Sequence, residues 1–368
     1  MEYRELPHGG GKVSTIGIGA GGLSEASPEQ VRKIIAYGMQ QGINLMDTVM
    51  YDSSVQPSIA AALEGQRDKM VMQIHLGAYY PRGQYVRTRD LKQLQKGFEQ
   101  ELKSYNTDYA DIGMIHCVDE MGDLENIIHG GILDYAVKLK QSGVIRHLAV
   151  SSHSPKACLK LLETEKIDIF MLSLNAAYDF EPSGEKLMLS DTRMKLYQEC
   201  SKRGVGITVM KPYGGGQLLN DRTSPLGRKM SIYQCIQYAL DRPAVLSCLP
   251  GVRNLKDLED VLKYYDLARD EKDYSFIGTM QRQDIQGSCI YCNHCQPCPQ
   301  EINIGLINKY FDLAKVGDKL AIDHYEKLSH HASDCIECGA CEKNCPFHVE
   351  VRKKMKEAGS FFNSLIIS

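Results

Sequence analysis

The sequence predicts an α/β chain, a (β/α)8 barrel of the TIM type followed by a small, cysteine-rich α-helical domain. Three observations carry this. From residue 13 to about 267, short β-branched apolar runs alternate with amphipathic helical stretches, eight times over roughly 250 residues, the count and length of such a barrel. The number eight favours this barrel over the doubly wound open sheet that begins with the same alternation. Of the 13 cysteines in 368 residues, eight fall between Cys289 and Cys345, so the chain ends in a unit of different chemistry. Two domains are expected, residues 1–280 and 281–368, in line with the size at which single cores stop growing.

Tyr3 to Lys12, with Gly9-Gly10-Gly11, precede the first strand and read as a small hairpin closing one end of the barrel or as a plain loop. Strands are predicted at Val13–Gly19, Asn44–Thr48, Lys69–Gly77, Tyr109–Val118, Ile145–Ser152, Ile167–Asn175, Val205–Pro212 and Ala244–Gly251. Helices are predicted between them. Ser27–Gln41 opens with a cap, a first-turn proline and an acid, and Arg89–Tyr105, Ile128–Ser142, Pro155–Glu163, Lys186–Arg203, Met230–Asp241 and Leu255–Leu267 follow. Residues 268–288 are polar and connect to the second unit, which carries helical runs at Ile304–Lys315 and Val349–Ala358.

Composition excludes several classes. Hydrophobic residues make up 43% and charged residues 24%, with a net charge of −3. That is a globular balance with no basic cluster long enough to track phosphates, so nucleic acid is not an expected partner. No apolar run approaches the roughly 20 residues that span a bilayer, and the start (Met1-Glu2-Tyr3-Arg4-Glu5) lacks a basic-then-apolar leader. A cytoplasmic location is expected.

Cysteine spacing is the strongest signal. Cys335-x2-Cys338-x2-Cys341-x3-Cys345-Pro346 has the bacterial ferredoxin spacing in full, and Cys289-x2-Cys292-x2-Cys295-x2-Cys298-Pro299 is one residue shorter before its last thiol. Structural zinc commonly uses two separated C-x2-C pairs and fits four cysteines in ten residues poorly. Two [4Fe-4S] clusters are expected. By the crossover rule one takes Cys289, Cys292, Cys295 and Cys345, and the other takes Cys335, Cys338, Cys341 and Cys298. The helical flanks resemble α-helical ferredoxins. Cys117, Cys158, Cys200, Cys235 and Cys248 stand alone in apolar surroundings and read as small core hydrophobes.

Chemistry in such a barrel sits where strands end and loops begin. Those ends carry Asp47, His75, His116, Ser151-Ser152, Asn175, Lys211 and Arg253. One such histidine would be structural more often than not. A carboxylate and two histidines on successive strands point to a site.

At these residues the first 267 positions resemble the aldo-keto reductases. Tyr3-Arg4-Glu5-Leu6 with Val13-Ser14-Thr15-Ile16-Gly17, Gly42-Ile43-Asn44-Leu45-Met46-Asp47-Thr48, and Asp108-Tyr109-Ala110-Asp111 to Ile115-His116 are similar to the family's early strands. Val144-Ile145-Arg146 to Val150-Ser151, Met210-Lys211-Pro212 with Gly214-Gly215-Gly216, and Leu249-Pro250-Gly251 match its later ones. The whole chain is similar to a branch with a C-terminal two-cluster ferredoxin unit.

The resemblance implies an Asp, Tyr, Lys and His constellation in which Tyr donates a proton to the carbonyl oxygen. Asp47 and His116 match, His75 takes the lysine's place, and Tyr51 is the expected phenol, with Asp52 at the family's usual spacing. It also implies NAD(H) or NADP(H) contacts at Ser151, Ser152, Lys211, Gly214, Gly215, Gly216, Arg253 and Asn254. Ser152 stands for the usual Asn and Met171 for the usual Gln, while Asp257 stands where a cation would read a 2′-phosphate. Nicotinamide binding is therefore expected to be weakened, with NADPH disfavoured.

The function expected is an oxidoreductase acting on a small carbonyl or hydroxyl compound, with electron transfer through two [4Fe-4S] clusters and a ferredoxin- or flavodoxin-like partner. Hydride chemistry moves two electrons and a cubane one, so an adapter such as a flavin or a radical step would be needed; no flavin motif is present. The alternatives are a lyase- or isomerase-type acid–base catalyst on a carbohydrate-like substrate, and a two-histidine, one-carboxylate metal site at Asp47, His75 and His116.

Overall fold

The computed structural model describes residues 1–183, 186–280 and 287–366; residues 281–286, where the second domain is expected to begin, lie outside them. Eight parallel strands follow in order: β1 Ile18–Gly19, β2 Leu45–Asp47, β3 Val71–Leu76, β4 Ala110–Ile115, β5 Ile145–Ser152, β6 Ile169–Ser173, β7 Gly206–Met210 and β8 Val245–Cys248. Each pairs with the next, and parallel bridges Ile16–Cys248 and Gly19–Gly251 join first to last. The sheet closes on itself, which removes the edges an open sheet would leave.

Every residue of β2, β4, β6 and β8 is buried, as strands covered on both faces must be. Leu45, Ile112, Met114, Ala149, Ile169, Met171 and Leu246 form one apolar cluster, onto which Leu6 and Val13 pack. Those two belong to the N-terminal hairpin, Tyr3–Glu5 against Lys12–Ser14. Its loop uses Gly9, Gly10 and Gly11 at φ of 89°, 99° and 99°, where a side chain would be strained. The hairpin reading of this segment holds.

Helix Pro28–Gln40 starts at a capping box between Ser27 and Gln30, and Leu91–Ser104 is capped by Asp90. Two expected helices differ. Ile128–Ser142 resolves into Met121–His129 and Ile132–Gln141, because Gly131 turns the chain at φ 88°. Lys186–Arg203 begins as a strand, Lys186–Leu189, pairing with Phe180–Ser183 before helix Asp191–Arg203. A further hairpin, Ala78–Tyr79 with Val86–Arg87, is inserted after β3.

The chain divides into two compact units. The first, Met1–Leu174, Thr192–Pro212 and Ile236–Glu271, contains the barrel strands. The second, Asn175–Asp191, Tyr213–Cys235 and Lys272–Ser368, contains helices Ile304–Lys315, Lys319–Glu326 and Val351–Ile366. Within it Phe362 stacks on Tyr325 at 3.6 Å and meets Phe311 and Phe361. Among the described residues no helix is long and apolar enough to cross a membrane.

Candidate active site

β2, β3 and β4 are neighbours in the sheet, and this places their last polar residues side by side. Asp47 Oδ2 lies 2.7 Å from His75 Nε2, and His75 Nδ1 lies 2.8 Å from His116 Nδ1. His116 Nε2 is 2.6 Å from the Tyr85 hydroxyl. All four residues are buried, none more than 4% exposed. Gln73 Nε2 and the Val49 N–H also donate to Asp47.

In one polarity every atom of the chain is matched. The Tyr85 O–H donates to His116 Nε2, His116 Nδ1–H to His75 Nδ1, and His75 Nε2–H to the Asp47 carboxylate. The reverse polarity is equally complete, with the carboxyl proton at Asp47 and an acceptor at the phenol oxygen. Shifting one proton across each link converts one into the other, so the line has the connectivity to carry a proton between a phenol and a carboxylate. Both ring nitrogens of His75 face neighbours in this line. Asp47, His75 and His116 therefore do not converge on a point as a three-ligand metal site requires.

Tyr85 was not singled out from the sequence. It sits where the inserted hairpin returns toward β4, and the turn signal is Pro81-Arg82-Gly83 between two short apolar runs. The loop after β2 fixes this return by its main chain. The Tyr85 N–H donates to the Tyr51 carbonyl at 3.0 Å, and Gln84 Nε2 donates to Asp52 at 3.0 Å. Tyr51 is partly exposed; the phenol on His116 is that of Tyr85.

Behind the relay lies Glu101, which sequence reading also missed although it shares a helix face with Leu94 and Phe98. It is 2% exposed, and burial pushes its carboxyl well above the ordinary range. Oε1 accepts from Gln56 Nε2 at 3.5 Å, and the carboxyl is hydrogen-bonded to the main chain of His75.

The residues expected at the nucleotide have other contacts here. Ser151 Oγ accepts the Cys117 N–H at 2.7 Å, and Ser152 Oγ donates to the Val118 carbonyl at 2.5 Å. Met171 offers only a thioether, 3.7 Å from Gln73 Nε2. Asn254 caps helix Leu255–Leu262 by accepting the Asp257 N–H, and Asp257 in turn accepts the Arg253 N–H at 3.0 Å. That puts a carboxylate at the helix N-terminus where a phosphate would bind. In the second unit Gly214, Gly215 and Gly216 are all left-handed. A Cβ on Gly215 would meet Leu313 Cδ2 at 2.5 Å, so a side chain there would displace that leucine. Lys211 is lowered to about 8 by burial, with Cys117 nearby. These residues fit a nicotinamide dinucleotide poorly.

The cluster cysteines fit well. One cavity of the second unit is lined by Cys298, Cys335, Cys338 and Cys341 together, the four thiols the crossover rule groups. Cys289 and Cys345 are electrostatic neighbours of both Cys292 and Cys295, which gathers the other four. Asn308 Nδ2 lies 3.4 Å from Cys289 Sγ as an N–H···S donor.

Comparison with known proteins agrees with this geometry. Residues 15–234 match the Aldo/keto reductase family, and residues 282–346 match a 4Fe-4S dicluster domain. The chain is 22% identical over 308 residues to the uncharacterized oxidoreductase YqkF of Bacillus subtilis, covering 77% of this chain and 98% of that one. Its fold is similar to the holo form of an aldo-keto reductase from Bacillus halodurans, with TM-score 0.60, 19% identity, and coverage of 76% and 96%. It is also similar to an aldo-keto reductase from Klebsiella pneumoniae in complex with NADPH, with TM-score 0.54, 16% identity, and coverage of 74% and 93%. The barrel, the strand-end constellation and the family match make one conclusion: this chain belongs to the aldo/keto reductase family and carries a C-terminal 4Fe-4S dicluster domain.

Proposed function

We propose that the protein interconverts a small carbonyl compound and its alcohol, with Tyr85 as the proton donor and acceptor. One observation carries this reading, the unbroken hydrogen-bond line from Tyr85 through His116 and His75 to Asp47. A phenol alone is a poor acid near neutral pH, since its proton leaves a full charge on oxygen. Here the loss is compensated at once. Starting from the polarity with the proton on Asp47, Tyr85 gives its proton to a substrate oxygen, each link passes one proton towards the phenol oxygen, and Asp47 ends as the carboxylate. In the oxidative direction the same line takes the hydroxyl proton inward. Burial keeps water from short-circuiting the links.

The two [4Fe-4S] clusters supply single-electron transfer when bound, held by Cys289, Cys292, Cys295 and Cys345 and by Cys298, Cys335, Cys338 and Cys341. The electron partner is then a small ferredoxin- or flavodoxin-like protein. The poor fit to a nicotinamide dinucleotide supports this route over hydride transfer; reduction then takes two electrons, passed one at a time, and two protons, the oxygen's from Tyr85 and the carbon's from water.

Tyr85→Phe tests the reading, because it removes one hydroxyl from a packed ring. With clusters loaded, kcat on small carbonyl compounds with a chemical one-electron donor should fall about 10²–10⁴-fold, the scale of general acid catalysis. Tyr51→Phe should leave it within a few-fold. Equal losses in the two variants would overturn the assignment.

A further inference from the structure

All five isolated cysteines are buried; Cys117 stands apart, because its thiol faces a carboxylate and an imidazole. Cys117 Sγ lies 3.3 Å from Asp119 Oδ2, and His153 Nδ1 lies 3.0 Å from the same oxygen. One donor atom from each residue lies within 4.8 Å of the others. The three are 2%, 5% and 7% exposed.

Adjacent strands create this grouping. Cys117 and Asp119 follow β4, and His153 follows β5, which is paired with β4 through Ile115 and Val150. Cys117 has φ 49°, a left-handed conformation uncommon outside glycine, and its N–H is fixed on Ser151 Oγ at 2.7 Å. The proton relay uses none of the three side chains. Two cations stand close by, but both are compensated. Arg89 forms a two-pronged pair with Asp123 at 2.7 Å on each arm, and Arg87 reaches the same carboxylate at 3.3 Å. Lys211 also stands near Cys117.

We propose that Cys117, Asp119 and His153 form a mononuclear site for a borderline-soft divalent cation such as Zn2+. A thiolate, a carboxylate and a neutral imidazole are the donor set such ions take, and three protein ligands leave a fourth tetrahedral position to water or a substrate oxygen. Binding breaks the S–H bond and expels that proton to solvent. The imidazole proton moves from Nδ1 to Nε2, which frees Nδ1 as the donor. The present hydrogen bonds hold the three donors together before the ion arrives. No electron is transferred.

The test uses the full chain, purified anaerobically with its clusters loaded, mixed with a small excess of zinc sulfate and then freed of unbound metal. Wild type should retain about one zinc per chain, and Cys117→Ser and His153→Ala less than a fifth of that, with iron content equal in all three. Zinc-edge X-ray absorption should show one sulfur at about 2.3 Å with nitrogen or oxygen at about 2.0–2.2 Å. Wild type that retains no zinc, variants that retain as much as wild type, or a shell of four sulfurs (zinc in a cluster cradle) would each overturn the proposal. If His153→Ala loses iron and fold, Cys117→Ser and the absorption spectrum decide alone.

Discussion

His75 stands where the family resemblance expects a lysine, and its two ring nitrogens make the relay possible. A lysine ammonium only donates, so it could not accept the His116 Nδ1–H and also pass a proton to Asp47. His75→Lys should therefore lower kcat about 10²-fold or more without rescue at any pH between 6 and 9. A His75→Lys enzyme with the wild-type rate and pH profile would show the histidine to be a bystander. Glu101 makes a prediction about stability. Burial raises its carboxyl above the ordinary 4.5, so the folded chain holds that proton more tightly than the unfolded chain does. Its contribution is full below about 4.5 and is lost as pH rises towards its own folded value. Glu101→Gln, neutral throughout, should thus gain Tm over wild type as pH rises from 4.5 to 8, and the two should converge below 4.5. A pH-independent difference would show Glu101 to be ionised in the fold.

At the scale of elements the barrel was legible and the hairpin was not. Eight strands announced themselves because they are buried wholly or at all but one position and so read as apolar runs, as with Ala110–Ile115. The hairpin strands are two residues each, Ala78–Tyr79 and Val86–Arg87, too short to show a period of two. Hence Asp47, His75 and His116 could be placed from sequence, while Tyr85 could not: its position depends on a main-chain bond to Tyr51. Arg89 anchors the return of this hairpin. It grips both oxygens of Asp123 and donates to the carbonyls of His116 and Cys117 at 2.7 and 2.9 Å. Arg89→Ala takes this donor from the His116 carbonyl and leaves Asp123 and the Cys117 carbonyl to Arg87, a loss of about 2–4 kcal/mol. Thermal melting should show that loss. Because Tyr85 is held through the same segment, kcat should fall further than for a surface alanine of equal stability. An Arg89→Ala protein as stable as wild type would show the grip to be ornamental. Asp257 offers a second test at the level of an element. Its carboxylate occupies the start of helix Leu255–Leu262, so in direct titration NADPH should bind tens-fold weaker than NADH, roughly 2 kcal/mol of like-charge repulsion. Asp257→Asn should narrow that gap. NADPH binding tighter than NADH would reverse the reading of this loop.

At the scale of the whole molecule, an aldo/keto reductase barrel is joined to a 4Fe-4S dicluster domain, and the clusters' wiring can be tested apart from catalysis. Crossover makes a prediction that sequential ligation does not. Sequential ligation would give one cubane Cys289, Cys292, Cys295 and Cys298, and the other Cys335, Cys338, Cys341 and Cys345. Crossover exchanges the two proline-preceding thiols, and the cavity lined by Cys298 with Cys335, Cys338 and Cys341 supports the exchange. Wild type should hold about eight irons, and Cys338→Ser, Cys298→Ser and Cys345→Ser about four each, since a cubane seldom survives on three thiolates. The doubles separate the two wirings. Cys298→Ser with Cys338→Ser strikes one crossover cluster twice and should keep about four irons. Cys345→Ser with Cys338→Ser strikes both and should keep almost none. Sequential ligation demands the opposite pair of results, so iron counts on two double variants decide it. Far-ultraviolet circular dichroism serves as the control that the barrel remains folded. The short first motif, with x2 where the second has x3, bears on the same question. Cys298 lacks one residue of reach towards its own group, and the exchange relieves it of that span.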